Sequence, residues 1–173
     1  MNNTSPALEN APRIMTIATA LRIVLPFALG YFLSYLYRAV NAVLAPDLVA
    51  EIGLDASALG LLTAAYFLTF AAFQLPLGIL LDRYGPRRVE AMLLIVAATG
   101  AALFAWAPNA DVLIIARAMI GLGVSACLMA AFKAYVMWFP LERLALVNGI
   151  HLTAGGLGAL MATAPVEALL GVT

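Results

Sequence analysis

The fold is decided by the stretch from Gly78 to Arg88, which reads G-I-L-L-D-R-Y-G-P-R-R. It follows an uncharged run, residues 56–81, that ends abruptly at Asp82. A tight turn at Tyr84-Gly85-Pro86 is flanked by arginines, and a second apolar run begins at Ala91. This pattern predicts a short loop between two membrane-spanning helices, with positive charge on one side of the bilayer.

The spacing within this stretch places two groups on one helix face. Gly78 comes one turn before Asp82, so another helix can approach there without meeting a side chain. Asp82 is then a carboxylate at the membrane surface. It can meet a cation or the exposed N–H groups at the start of a neighbouring helix.

The pattern G-x-x-x-D-R-x-G-x-R-R between the second and third helices resembles the signature loop of the major facilitator superfamily of secondary transporters. Proline is an acceptable variant at position 86, because the turn needs a fixed φ there. The resemblance implies a conformational-switch loop, called the signature loop below. Its pattern positions are Gly78, Asp82, Arg83, Gly85, Arg87 and Arg88.

Composition indicates a membrane protein. Hydrophobic residues make up 65% of the chain and charged residues 10%, against roughly 45–50% and about 25% in soluble domains. We therefore predict an all-α fold, a polytopic bundle of transmembrane helices. The single cysteine, Cys127, allows neither a disulfide framework nor a thiolate metal site. The sequence offers no nucleophile–base pair and no phosphate-binding glycine loop, so we expect no enzymatic activity, no cofactor and no nucleic-acid partner.

Five apolar runs have the length that a bilayer requires. They cover about residues 23–45, 56–81, 91–108, 112–140 and 144–170, after a tail of residues 1–22. The first and third loops contain no arginine or lysine, whereas the tail and the other two loops are basic. The positive-inside rule therefore predicts a multi-pass protein of the cytoplasmic (inner) membrane with a cytoplasmic N-terminus. The basic residues are Arg13, Arg22, Arg83, Arg87, Arg88 and Arg143.

Five spans do not complete the fold that the resemblance implies. The superfamily fold has two six-helix halves, each made of 3+3 inverted repeats, with the substrate path between them. This chain corresponds to the first half up to its fifth helix. The missing half belongs either to the same longer chain or to a second chain. A fragment of a longer protein is favoured over a naturally shortened relative.

Ionisable side chains within the spans are functional candidates, because a central cation costs about 2.5–3.5 kcal/mol on insertion scales. Arg38 and Asn41 share a face of the first helix, so a guanidinium and an amide point the same way. The guanidinium fork matches carboxylate or phosphate oxygens, although an arginine at this depth can also snorkel outwards. We expect Arg38 and Asn41 to bind substrate.

Arg117 lies in the stretch A-R-A-M-I-G-L-G-V of the fourth helix. Together with Gly121 and Gly123 it resembles the superfamily's fourth-helix motif, R-x-x-x-G-x-G. In many proton-coupled members that arginine supports ion coupling. The resemblance makes Arg117 an ion-coupling candidate, with snorkelling to the outer interface as the alternative.

Two further patterns are similar to those of the organophosphate:phosphate antiporter family. They are Y-x-x-R-x-x-N-x-x-x-x-P in the first helix and N-x-x-H-x-x-x-G-G in the fifth. The similarity implies a phosphate-binding role for Arg38, a substrate role for His151 and, through a nearby basic position, one for Lys133. An imidazole can also change its charge when an anion binds. Ala39 stands where that family often has a second basic residue.

Two functions from different classes follow. The first is the N-terminal half of a secondary active transporter for a small organic or phosphorylated anion, working by alternating access with Asp82 holding one state closed. The second is a truncated, non-transporting relative that acts as a sensor, a membrane-complex subunit or an assembly factor. The expected partners are the lipid bilayer, a small anionic molecule and the missing half.

Overall fold

The computed structural model describes residues 17–163, which form seven helices and no strand. The predicted all-α fold class is confirmed. In chain order the helices are α1 (Ile17–Ile52), α2 (Ala56–Ala72), α3 (Gln74–Tyr84), α4 (Pro86–Ala105), α5 (Ala110–Gly123), α6 (Cys127–Trp138) and α7 (Leu141–Met161).

These helices make up to five spans. Helices α1, α4 and α7 are each long and apolar enough to cross a membrane, and α5 with α6 makes another such stretch. Helices α2 and α3 pass the same test together, with a bend of 46° between them. The predicted transmembrane bundle is therefore confirmed. Residues 1–16 and 164–173 lie outside the described part, and with them Arg13 and the predicted end of the fifth span.

Helix α1 extends beyond the predicted span at both ends. It begins at Ile17, within the segment predicted to be a tail, and it continues through Pro46 to Ile52. Proline predicts a helix end because it lacks an N–H donor and its ring clashes with the carbonyl four residues earlier. Leu48, beyond the proline, packs in a buried cluster with Leu54. This packing stabilises the additional turns.

The turn of the signature loop depends on Gly85. Its φ of 80° and ψ of 157° lie in a region essentially restricted to glycine. Its N–H donates to the carbonyl of Leu81 at 3.2 Å, which closes the end of α3. Pro86 then opens α4, at a position where its missing N–H leaves no partner unsatisfied.

Pro76 explains the bend between α2 and α3. Its ring clashes with a helical carbonyl four residues earlier, and it has no N–H to return to that carbonyl. The carbonyl belongs to Ala72, the last residue of α2. The uncharged run predicts one continuous span over residues 56–81, a prediction that leaves out the effect of Pro76.

The break between α5 and α6 faces this bend. It covers residues 124–126, which separate the two helices. The Gln74 side-chain amide donates to the carbonyl of Ser125 at 3.2 Å. Since a helix break leaves carbonyls without intrahelical partners, this bond satisfies one of them.

The bundle has α5 between α2 and α4, while α1 packs against α7 and α6. Three buried clusters follow one another from the signature loop to the opposite end. The signature loop and the start of α1 define what we call the arginine-rich end. Representative members of the three clusters, in that order, are Leu81 and Val89, Tyr66 and Cys127, and Leu54 and Leu113.

Candidate functional site

Arg38 lies on α1 among three aromatic rings. Its guanidinium carbon is 4.9 Å from the ring centroid of Tyr35, 5.6 Å from that of Phe67 and 5.4 Å from that of Phe70. Tyr35 is on α1, and the two phenylalanines come from α2. Aromatic faces attract a guanidinium and stack on its plane, which leaves its edges available for hydrogen bonds. We call Arg38 and these rings the arginine–aromatic cluster.

The Arg38 guanidinium makes no ion pair with any described residue. The ion pair found between residues 17 and 163 joins Lys133 to Asp82 instead. Arg38 is half-buried, and its Nε atom is buried without a hydrogen-bond partner. A cation held in the bundle without a counter-charge is costly. The cluster is therefore suited to receiving an anion from outside the chain.

Asn41 follows Arg38 by nearly one turn and faces α2. Its side-chain nitrogen donates to the hydroxyl of Thr63 at 3.2 Å. Its Oδ1 atom is buried and accepts no hydrogen bond. An amide oxygen cannot pair with an anion, but it can accept a hydrogen bond from a substrate hydroxyl.

Arg117 points into the bundle and not towards the membrane surface. The residue is 2% exposed, and its guanidinium donates to the carbonyl of Tyr37 at 2.9 Å. The guanidinium carbon lies 4.7 Å from the ring centroid of Tyr66. These contacts exclude the snorkelling arrangement in this structure.

Tyr66 connects the two arginines. It is fully buried on α2, and its hydroxyl donates to the carbonyl of Ser34 at 3.4 Å. The Arg117 guanidinium packs over its ring, and its ring neighbours Phe67 and Phe70 both contact the Arg38 guanidinium. Two guanidinium groups near one tyrosine produce a region of positive potential inside the bundle.

His151 lies on α7 in a separate, fully buried position. Its Nδ1 atom is 3.1 Å from the hydroxyl of Tyr135 on α6. Its ring is stacked on Tyr31 of α1, with centroids 4.4 Å apart. The Nε2 atom is buried and has no partner. The contacts of the His151 ring are with Tyr135, Tyr31 and Phe132, and none of them is with the Arg38 side chain.

Two tyrosines of α1 link His151 to the arginine–aromatic cluster. The hydroxyl of Tyr31 donates to that of Tyr35 at 3.3 Å, and the Arg38 guanidinium packs over the Tyr35 ring. His151 and Arg38 are predicted from the sequence as site residues, but the tyrosines between them are not. Tyr31, Tyr35 and Arg38 follow the i, i+4, i+7 spacing of one helix face, a signal that could have found them.

Lys133 lies with the signature loop and not with Arg38. Its ammonium group donates to the Asp82 carboxylate, which joins α6 to α3. The two side chains are 28% and 81% exposed, respectively. An ion pair this exposed contributes only about 0–1 kcal/mol to stability. The ion pair therefore adds little stability, but it joins α6 to α3 at the arginine-rich end.

A groove of about 740 Å³ runs between α3 and α6 beside this ion pair, lined by Gly78, Asp82 and Lys133 among others. A Cβ atom added at Gly78 would meet nothing within 4 Å. The helix surface at Gly78 is thus open to the approach of another helix, as the sequence predicts. The remaining loop cations lie elsewhere: Arg83 packs 5.4 Å from the Tyr84 ring, Arg87 lines another cavity, and Arg88 is exposed.

Glu90 is a buried acid that the sequence analysis misses. It is 5% exposed on α4, one residue before the predicted start of the third span. Its spacing to the buried residues Leu93 and Ala97 is i+3 and i+7, which places all three on one helix face. That spacing is the signal that could have identified it.

Comparison with known proteins decides the family. The model of the Major Facilitator Superfamily matches residues 27–173, which include the signature loop and the arginine–aromatic cluster. The chain belongs to the major facilitator superfamily. The resemblance first drawn from the spacing of the signature loop is confirmed.

Several curated members of the superfamily are similar to this chain. A probable sulfoacetate transporter of Cupriavidus necator is 30% identical over 75% of the chain. A nitrate/nitrite transporter of Picosynechococcus sp. is 29% identical over 75% of the chain. A galacturonate transporter of Dickeya chrysanthemi is 28% identical over 78%. The aligned parts make up 30%, 24% and 39% of these three superfamily proteins, so the chain spans well under half of their length.

Proposed function

We propose that the chain forms the N-terminal part of a secondary active transporter that moves a small organic anion across the membrane by alternating access. The favoured substrates carry a carboxylate or a sulfonate. The observation that carries this proposal is Arg38, a half-buried guanidinium stacked among aromatic rings with no acidic partner among the side chains that the structure describes. A substrate anion supplies the missing counter-charge, and the guanidinium fork can bind two of its oxygens at once.

The relatives support the same substrate class. Sulfoacetate, nitrate, nitrite and galacturonate, named in the descriptions of three relatives, are all anions. A phosphate ester, implied by the similarity to organophosphate:phosphate antiporters, presents comparable oxygens. It is therefore included as a competing substrate in the experiment below.

The other site residues take distinct roles in this proposal. Asn41 accepts a hydrogen bond from a substrate hydroxyl through its free Oδ1. Arg117 adds to the positive potential from behind Tyr66 and is the candidate for ion coupling. His151 acts on Arg38 through Tyr31 and Tyr35, since its contacts are with the tyrosines.

The signature loop supplies the conformational switch. In alternating access, this half rocks against a second half around the substrate site. Asp82 stays 81% exposed in its pair with Lys133, so it can also meet a helix of that second half. We place the N-terminus and the arginine-rich end in the cytoplasm, on the strength of the arginine distribution. We therefore assign Lys133 to the conformational switch and not to the substrate site.

Uptake into proteoliposomes containing the full-length gene product tests the proposal. Labelled galacturonate, sulfoacetate, nitrate and glycerol 3-phosphate are compared with neutral galactose. We expect saturable uptake of at least one anion, loss of that uptake in Arg38→Gln, and retention in the control Arg143→Gln, which changes an exposed arginine outside the signature loop. Uptake of galactose alone would contradict the anion assignment, and the absence of all uptake would favour a non-transporting relative.

A further inference from the structure

Glu90 is a carboxylate held inside the bundle without a partner. It is 5% exposed, its Oε1 atom is buried, and no hydrogen bond reaches that atom. It makes no ion pair with any residue of the described part of the chain. Since burial of an unpaired carboxylate is costly, the position calls for an explanation.

The carboxylate is pressed against the backbone of α1. A Cβ atom built on Gly30 would overlap Glu90 Oε1, so any other residue at position 30 would force the carboxyl to move. The titratable residues near Glu90 on α6 are Cys127 and Tyr135, whose side chains are uncharged at neutral pH. Neither supplies the positive charge that would pair with an ionised carboxylate.

A cavity of about 690 Å³ reaches Glu90 from the arginine-rich end. Arg22 of α1 and Arg87 of α4 line it, and both are exposed residues. Glu90 is the fifth residue of α4, so it lies only about 6 Å along the helix from the end that carries these cations. The cavity is large enough for water, which needs polar partners of this kind to stay ordered.

We propose that Glu90 is a reversible proton-binding site of the transporter, reached by water through this cavity. In the packing described here the carboxyl carries the proton, because no cation contacts its buried oxygen. When α1 moves away from α4, water and the two arginines can reach the carboxylate. The proton then leaves to cavity water, and it returns from the same water when the helices close.

The location of Glu90 couples this site to the anion site, and in that respect the inference rests on the proposed function. The same helix, α1, contacts Glu90 at Gly30 and carries Arg38 eight residues later, about 12 Å along the axis. A displacement of α1 therefore changes both environments together. Transport of one proton together with one singly charged anion also moves no net charge across the membrane.

The test reads the carboxyl directly, without any transport assay. The full-length gene product in proteoliposomes is titrated while the infrared band of protonated carboxyl groups is recorded, with Glu90→Gln used to assign the band. Labelling by dicyclohexylcarbodiimide, which reacts with protonated carboxyls in apolar surroundings, is mapped by mass spectrometry. The exposed acid Glu142 is the internal control.

We expect a band that disappears in Glu90→Gln and decreases reversibly as the pH is raised over about pH 5 to 9. We also expect labelling at Glu90 and not at Glu142. A band that is absent throughout, or constant throughout, would overturn the proposal. Wild-type labelling decides the matter even if Glu90→Gln fails to fold.

Gly30→Ala tests the contact with α1. The added methyl group displaces the carboxyl, so the midpoint of the band's titration should shift. Gly156→Ala is the matched control, because a Cβ atom at Gly156 meets nothing within 4 Å. An unchanged midpoint in Gly30→Ala would remove the coupling to α1. None of these readings depends on anion uptake, so failure of the proposed function and failure of the proton site remain distinguishable.

Discussion

The phenol ring of Tyr31 lies stacked on the imidazole of His151, with centroids 4.4 Å apart and planes inclined by 22°. This contact brings α1 and α7 together at the centre of the bundle. Gly155, one turn after His151, makes the approach possible, since a Cβ atom there would lie 2.5 Å from the Tyr31 ring. At the adjacent Gly156 a Cβ atom would meet nothing within 4 Å.

The two adjacent glycines give the first prediction. Gly155→Ala should lower the free energy of unfolding by about 1–3 kcal/mol, because the methyl group overpacks the interface. Gly156→Ala should leave it unchanged or raise it by about 0.5–1 kcal/mol through better helix propensity. Denaturant unfolding of the purified protein in detergent measures both. Equal effects of the two substitutions would show that α1 and α7 do not pack in this way.

The second prediction concerns the Asp82–Lys133 ion pair. Asp82→Asn and Lys133→Gln should each change the free energy of unfolding by less than about 1 kcal/mol, because the pair is exposed. Each should nevertheless lower the transport rate of the full-length protein about tenfold, equivalent to about 1.4 kcal/mol in the barrier. The measurements are unfolding in detergent and initial uptake rates.

A double-mutant cycle shows whether the two residues act together. If they work as one contact, Asp82→Asn with Lys133→Gln should be no slower than either single variant. Asp111→Asn, which changes an exposed acid at the opposite end, is the control. Additive losses would assign the two residues to separate steps.

The third prediction is the orientation in the membrane. Cysteines introduced by Arg87→Cys and Arg143→Cys should be protected from an impermeant thiol reagent added outside intact cells, whereas Asn109→Cys should react. The native Cys127 is 1% exposed and should stay silent in this assay. The physical reason is the concentration of arginine at one end of the bundle. Labelling of positions 87 and 143 from outside would reverse the orientation.

The sequence predicts the helical spans well, because membrane crossing imposes a long uncharged run that composition alone exposes. It places Gly85 correctly at the turn, since the G-P pair has few conformations available. It misses the bend at Pro76 and ends α1 too early at Pro46. At Pro46 the packing of Leu48 beyond the proline allows the helix to continue, whereas at Pro76 the chain bends.

The candidate site is harder to predict than the fold. Sequence spacing selects Arg38, but it cannot reveal that Phe67 and Phe70 of another helix complete its surroundings. Lys133 is assigned to the substrate by its position along one helix, while the partner that it contacts, Asp82, is fifty-one residues away. The sequence does not predict Glu90 as a buried residue, because it lies next to the arginines of the signature loop, where exposed side chains are expected.

In the proposed site, Arg38 binds the anion through its guanidinium fork. The most direct measurement is the dissociation constant of the transported anion for the full-length protein and for Arg38→Lys, Arg38→Ala and the surface control Arg143→Lys. Lysine keeps the charge but loses the fork, so Arg38→Lys should weaken binding by about 10- to 100-fold, nearly as much as Arg38→Ala. Arg143→Lys should bind like the wild type. Wild-type affinity in Arg38→Lys would show that the guanidinium fork does not bind the anion.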